Sequence, residues 1–438
     1  MTKPRHMIMT LIGQLQLEDD TLALVESAKC LGDLSVYAPG HMDFTAYVKR
    51  LQKDLDHQSP EVRTIAIQGL ANLMRKDTEE IIHTANAGLE DKLWDLLDQD
   101  PEQEIVRGIF TNWLTQTGLS STPEWIQRIN SVLTKAKARI DESSIKAVKP
   151  ANPGPDLQDE EAAGFANAGG AEKEDEAPAP TSTMELMRWQ VRLFAIDLLN
   201  ELITAVQKDV AIKDSSPALS SLQARIADVV RIAFSASTAG VVGLRVKGLR
   251  IIDQVLKLFG GTPDPDFQEA MLLEQYQAQI SSALTPAFAA DSSPELAAEA
   301  INVCASFIST GIVTDIERMG RILKLLVSTL ENFSNLNTDT AVIGELKGLS
   351  SNASVMVKMS VYSAWAGLQI ASADQKYLVD VVKPHVARLT PLWLSSLQEY
   401  ARLRFEPDIS SSNAGVAVGG DLETMYAALN RETLLRVC

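Results

Sequence analysis

Residues 56–70 read Asp56-His-Gln-Ser-Pro-Glu-Val-Arg-Thr-Ile-Ala-Ile-Gln-Gly-Leu70, the turn and second helix of a helical hairpin. Ser59 can accept from the free amides of a first helical turn. Pro60 has no amide to lose there, and Glu61 lies favourably at the positive end of the helix dipole. Beyond this start Val62, Ile65, Ala66, Gly69, Leu70 and Leu73 recur every three or four residues and form one apolar stripe, while Arg63, Gln68 and Asn72 point elsewhere.

The pattern returns 44 residues later. Asp100 aligns with Asp56, Val106 and Arg107 with Val62 and Arg63, Ile109 with Ile65, Phe110 with Ala66, and Leu114 with Leu70. A weaker copy of the helix start stands at Ser293-Pro-Glu-Leu296, with Ala297 in place of the arginine. This period is that of HEAT and armadillo modules, in which each hairpin covers its neighbour's apolar face. The expected fold is therefore all-α, a HEAT/armadillo-type α-solenoid of stacked helical hairpins. Asp56 with Arg63, and Asp100 with Arg107, are the candidates for an inter-repeat ladder. The alternative for both pairs is a set of solvated surface charges, which contribute little.

Composition agrees with a stack of short helices: 45% of the 438 residues are hydrophobic, only 5% are aromatic, and the net charge is −17. So acidic a chain argues against a phosphate-backbone partner, and nucleic acid is excluded as the main ligand. Cys30, Cys304 and Cys438 are too scattered for a disulfide framework or a zinc site. His6, His41, His57, His83 and His385 show no metal-ligand spacing. Phosphate-cradling and nucleophile-elbow motifs are absent, so no catalytic, cofactor-binding or metal residue is assigned. Trp94, Trp113, Trp125, Trp189, Trp365 and Trp393 fall on helical patterns and read as core or inter-repeat packing. No apolar run is long enough to span a bilayer, so membrane association is expected to be peripheral, through partners, in a reducing cytosol.

Along the chain, residues 1–140 form a first helical block: helices across Ile8 to Ala38 split near Leu17 to Thr21, with Leu22, Val25, Ala28, Cys30 and Leu31 on an apolar face. Its last helix is expected to run from Pro123 to about Ile140. Residues 141–183 turn to Pro, Gly, Ala and acidic residues and read as a disordered acidic linker, a passive spacer or a short docking motif near Leu157 or Phe165. A second block, 184–405, carries expected helices at Trp189 to Val206, Leu219 to Ser235, Gly243 to Phe259, Gln268 to Leu284, Pro294 to Ser309, Asp315 to Leu330, Ala353 to Ala373 and Tyr377 to Leu403. Residues 406–420 read as a flexible loop. Residues 421–438 start a further helix without a stop signal, from which a piece of something longer is expected.

Six collinear runs in the second block resemble one family. They are Arg188-Trp-Gln-Val-Arg-Leu-Phe-Ala195, Gly243-Leu-Arg-Val-Lys-Gly-Leu249, Pro263-Asp-Pro-Asp-Phe267, Leu273-Glu-Gln-Tyr-Gln-Ala278, Leu284-Thr-Pro-Ala-Phe288 and Leu392-Trp-Leu-Ser-Ser-Leu-Gln-Glu-Tyr400. They are similar to the very large HEAT-repeat accessory proteins of the trans-Golgi and endosomal clathrin adaptor, known in animals as HEAT-repeat-containing protein five and in fungi as the large adaptor-associated protein. The resemblance implies a non-enzymatic scaffold that binds the clathrin adaptor complex and its accessory proteins at the trans-Golgi network, endosomes and clathrin-coated vesicles. It implies no cofactor, and it leaves self-association and the binding face open. The alternatives are an importin-like nuclear transport receptor, also an acidic helical solenoid, and an unrecognised enzyme, which needs a cleft with shifted ionisable groups.

Overall fold

The computed structural model describes residues 2–139, 183–312 and 351–405, apart from positions 19, 39, 41, 214–215, 266, 268–269 and 289–291, together with isolated positions between 320 and 330. The chain divides into two compact units, Met1–Ala224 and Arg225–Cys438.

The first unit comprises α1 (Thr2–Leu15), α2 (Thr21–Tyr37), α3 (Phe44–Asp54), α4 (Pro60–Met74), α5 (Thr78–Thr84), α6 (Leu89–Gln99), α7 (Glu104–Thr117), α8 (Thr122–Thr134), α9 (Trp189–Ile212) and α10 (Pro217–Ala224). One row of helices runs through the stack, α2 on α4, α4 on α7 and α7 on α9. The intervening helices pack beside it: α3 on α4, α6 on α7, and α8 on α9. This is the expected solenoid. α4, sandwiched between row neighbours, buries Val62, Ala66, Ile67, Gly69, Leu70, Leu73 and Met74, a broader face than the single stripe read from spacing. Gly69 lies there because a Cβ at that position would come within 2.9 Å of Leu51 Cδ2 on α3. In α2, Val25 and Leu31 are buried as expected. Leu22, at 68% exposure, and Cys30 are on the outside.

α8 stops at Thr134 instead of continuing to Ile140, and the chain extends into β1 (Ala136–Arg139), which pairs antiparallel with β2 (Thr183–Leu186). The all-α expectation therefore has one local exception. Its cause is non-local: the partner strand is supplied from beyond residue 182, which no helical period near residue 136 can reveal. Both sides of the acidic stretch belong to the first unit, and α8 packs directly on α9. The residues that flank the expected linker at 141–183 thus lie in the same compact unit. The acidic stretch itself, with Leu157 and Phe165, lies outside the described residues, as do 406–420 and 421–438.

The second unit comprises α11 (Ile226–Ser237), α12 (Val242–Phe259), α13 (Gln277–Leu284), α14 (Pro294–Ser309), α15 (Ser351–Ala371) and α16 (Lys376–Phe405). Its row is α12 on α14 and α14 on α15, with α11 against α12 and α16 against α15. α11 and α12 cross so closely that a Cβ at Gly248 would meet the Ser237 amide nitrogen at 2.6 Å and the Ala233 carbonyl at 2.7 Å. Two helices expected from spacing are shorter than read. The Leu219 to Ser235 pattern breaks at Arg225 (φ −110°, ψ 16°), whose guanidinium is held by Asp228 at 3.1 Å. The Gln268 to Leu284 pattern becomes a helix only at Gln277. Before it, Asp264 accepts from the Phe267 amide, Glu274 accepts from the Met271 amide, and Pro263 bridges to Met271, local bonds that outcompete helix. α14 begins and ends where the sequence places it, with Ser293 capping the Leu296 amide at 3.2 Å. The Asp315 to Leu330 expectation falls largely outside the described residues.

Candidate functional site

The hairpins are joined by polar side chains, Gln52 and Gln277 among them buried, that take up backbone groups of the neighbouring turn. Gln52, on α3, donates to the Asn86 carbonyl at 2.9 Å and accepts from the Asn86 amide at 2.7 Å. Gln116, on α7, donates to the Met74 carbonyl at 2.8 Å and accepts from the Thr78 amide at 3.0 Å, closing the end of α4. In the second unit Gln277 donates to the Ile312 carbonyl, and Gln375 to the Ser309 carbonyl at the end of α14. Tyr377 adds a bond to the Ile308 carbonyl at 3.0 Å. A helix end leaves its last carbonyls without intrahelical donors, and a primary amide can satisfy a carbonyl and an amide together. None of these residues was singled out by sequence, because a glutamine on a helix carries no local signal that its partner lies 34 to 66 positions away.

The expected ladder residues are placed as follows. Arg63 donates to the His57 carbonyl at 2.6 Å and the Gln58 carbonyl at 2.9 Å, so it closes its own turn. Ser59 occupies the cap position of α4 without a side-chain cap bond; its amide donates to His57 Nδ1 at 3.1 Å. Asp56 pairs with Lys92 on α6, a contact between hairpins. Asp100 accepts from the Glu102 amide at 3.3 Å. Arg107 lies 3.9 Å from Glu102, and its guanidinium carbon sits 5.5 Å from the Phe194 ring centroid. Among the described residues neither Asp56 with Arg63 nor Asp100 with Arg107 forms an ion pair. In the second unit charged side chains join row helices directly. Arg250 on α12 reaches Glu299 on α14 at 3.6 Å, with Glu299 only 5% exposed, and Asp253 accepts from Ser306 at 2.5 Å while Lys257 holds its other oxygen at 2.6 Å.

The tryptophans concentrate in the first unit. Trp94 stacks on Phe110 at 4.0 Å, Trp113 meets Trp125 edge-on at 5.2 Å, and Arg128 lies 4.5 Å from the Trp113 ring while donating to Glu90 at 3.2 Å. Burial pushes the Glu90 carboxyl above its ordinary range, against the pull of Arg128. Trp365 is buried in the second unit, and Trp393 donates to the Tyr362 carbonyl at 3.1 Å. Trp189 departs from the packing expectation, with 38% of its surface exposed at the start of α9.

The chemistry these groups can perform is limited. Cys304, 1% exposed on α14, is pushed up to about 12 by burial, so it stays a thiol at neutral pH, and a thiol is a poor nucleophile. Desolvation lowers the ammonium of Lys358. Among the described residues no group of His, Cys, Asp and Glu side chains could hold a metal ion, and no helix is long and apolar enough to cross a membrane. The loop of the Pro263 to Phe267 run presents Phe267, 69% exposed.

Comparison with known proteins gives the context. The chain is 27% identical over 334 residues to the AP-1 accessory protein LAA1 of Saccharomyces cerevisiae, covering 74% of this chain and 16% of that protein. It is 27% identical over 342 residues to Protein SWEETIE of Arabidopsis thaliana, covering 75% of this chain and 15% of that protein. It thus spans only about a sixth of the length of these relatives. Among solved structures, an importin beta shares 11% identity at a TM-score of 0.44, covering 91% of this chain and 47% of that one. A Kap121p mutant shares 13% at 0.41, covering 89% and 36%. Residues 221–402 match one family model, described as the Laa1/Sip1/HEATR5 HEAT repeat region.

Proposed function

We propose that this chain is part of a non-enzymatic scaffold that binds a clathrin adaptor complex and its accessory proteins and supports vesicle-mediated transport between trans-Golgi network and endosomes. The observation that carries the reading is the family match over residues 221–402, joined to similarity across most of the chain to a protein named as an accessory of AP-1. The stack supports it physically. Glutamine clamps hold successive hairpins in fixed register, which is what a surface built from several repeats needs in order to recognise a large partner. Association with membranes is peripheral, through those partners.

The test is affinity purification of the tagged full-length protein from its own cells at moderate salt, with mass spectrometry of what accompanies it. Recovery of the adaptor's large subunits is the expected result. Recovery of nuclear transport cargoes or small GTPases without adaptor would overturn the reading and leave the fold intact. Deleting residues 184–400 from the full-length protein then asks whether this segment contributes: adaptor recovery is expected to fall.

A further inference from the structure

Residues 139 and 183, which flank 140–182, meet at one place on the first unit. On the outgoing side Lys135, just before β1, reaches Asp91 of α6 at 2.6 Å. On the returning side the Arg188 amide donates to Asp98 of the same helix at 2.8 Å, and Met187 beside it is buried. Asp91 and Asp98 are two turns apart on one face of α6, roughly 10 Å along its axis. Between these two feet the backbone is zipped, with Ala136 opposite Leu186, Lys137 opposite Glu185, Ala138 opposite Met184 and Arg139 opposite Thr183.

We infer that the packing of residues 183–224 on residues 2–139 holds the first unit together without the chain that links them, so that the backbone can be cut or lengthened within 140–182 without taking the stack apart. The two sides of the cut stay joined by packing that does not pass through 140–182. α6, α7 and α8 all pack on α9, which buries Val191, Leu198, Leu199 and Leu202, and α10 packs on α8. The cost of closing a loop grows only slowly with its length, so the unit also tolerates insertions of different size. The inference does not depend on which partner the protein serves.

The experiment uses the full chain with a site-specific protease sequence placed after position 160. After complete cleavage the two fragments are expected to elute together on size exclusion at micromolar concentration, with Tm within about 5 °C of the uncut chain. Fragments that separate or precipitate would overturn the proposal. A second measurement tests the packing itself. Asp98→Ala, which removes the acceptor for the Arg188 amide, is expected to lower the Tm of the cut chain more than that of the uncut chain. Equal lowering would show that this packing does not hold the halves together.

Discussion

The two units build the same row of helices from different materials. In the first, aromatic rings join helices within and between hairpins, Trp94 on Phe110 and Trp113 against Trp125, with Arg128 laid over Trp113 and Arg107 over Phe194. In the second, the row is aliphatic and alanine-rich, α14 burying Ala297, Ala298, Ala300 and Ile301, and its polar contacts are charges shared between row helices, Arg250 with Glu299 and Ser306 with Asp253. Large rings fill space where helices stand apart, and small residues let backbones approach, as at Gly248. What is common to both is the glutamine at the helix end. A solenoid therefore fixes its register at the turns and leaves the chemistry of the faces free to vary.

The largest expected effect tests the aromatic joint. Trp125→Ala removes a fully buried ring whose indole donates to Thr117 at 2.9 Å, and about 3–5 kcal/mol of stability should be lost from the first unit, read by denaturant unfolding. Unfolding that left the second unit's transition unchanged would sharpen the contrast. Next comes the close crossing of the second unit. Gly248→Val drives a side chain into the backbone of α11 and should cost about 1–3 kcal/mol or more, whereas Gly108→Ala, with open space around it, should cost little.

The shared device is tested by Gln116→Leu. It leaves the Met74 carbonyl and Thr78 amide without their partner, and a loss of about 1–3 kcal/mol is expected, against near neutrality if those groups simply turned to water. A pH titration probes α3. Burial, with Asp33 and Asp54 nearby, raises Tyr47 from 10.0 to about 12, so the folded state keeps a proton that the unfolded chain releases. Stability is fully present below pH 10 and falls as pH rises from 10 through 12. Tyr47→Phe should flatten that decline, measured as Tm against pH; an unchanged slope would assign the alkaline loss elsewhere. The smallest effect is expected from Lys92→Ala. Its pairing with Asp56, itself 64% exposed, is a surface contact worth roughly 0–1 kcal/mol, less at high salt.

Sequence by itself determined the helical hairpin as the building unit, because Ser-Pro-Glu starts and three-to-four spacing are local properties of a few consecutive residues. α4, α12 and α14 follow from it almost to the residue. It also pointed the six scattered tryptophans to core or inter-repeat packing, from which Trp189, exposed at the start of α9, departs. Only the tertiary structure decided which hydrogen-bonding residues join the repeats. Arg63 and Arg107 stood at matching positions of the repeat, yet one closes its own turn on carbonyls and the other lies over Phe194, while unmarked glutamines make the joints. The tertiary structure likewise decided that residues 136–139 meet residues 183–186, since strand pairing and the Asp98 contact with Arg188 link residues far apart in the chain. Periodicity reports which face a residue occupies; the partner across that face depends on where the chain returns, and that is set by packing of the whole stack.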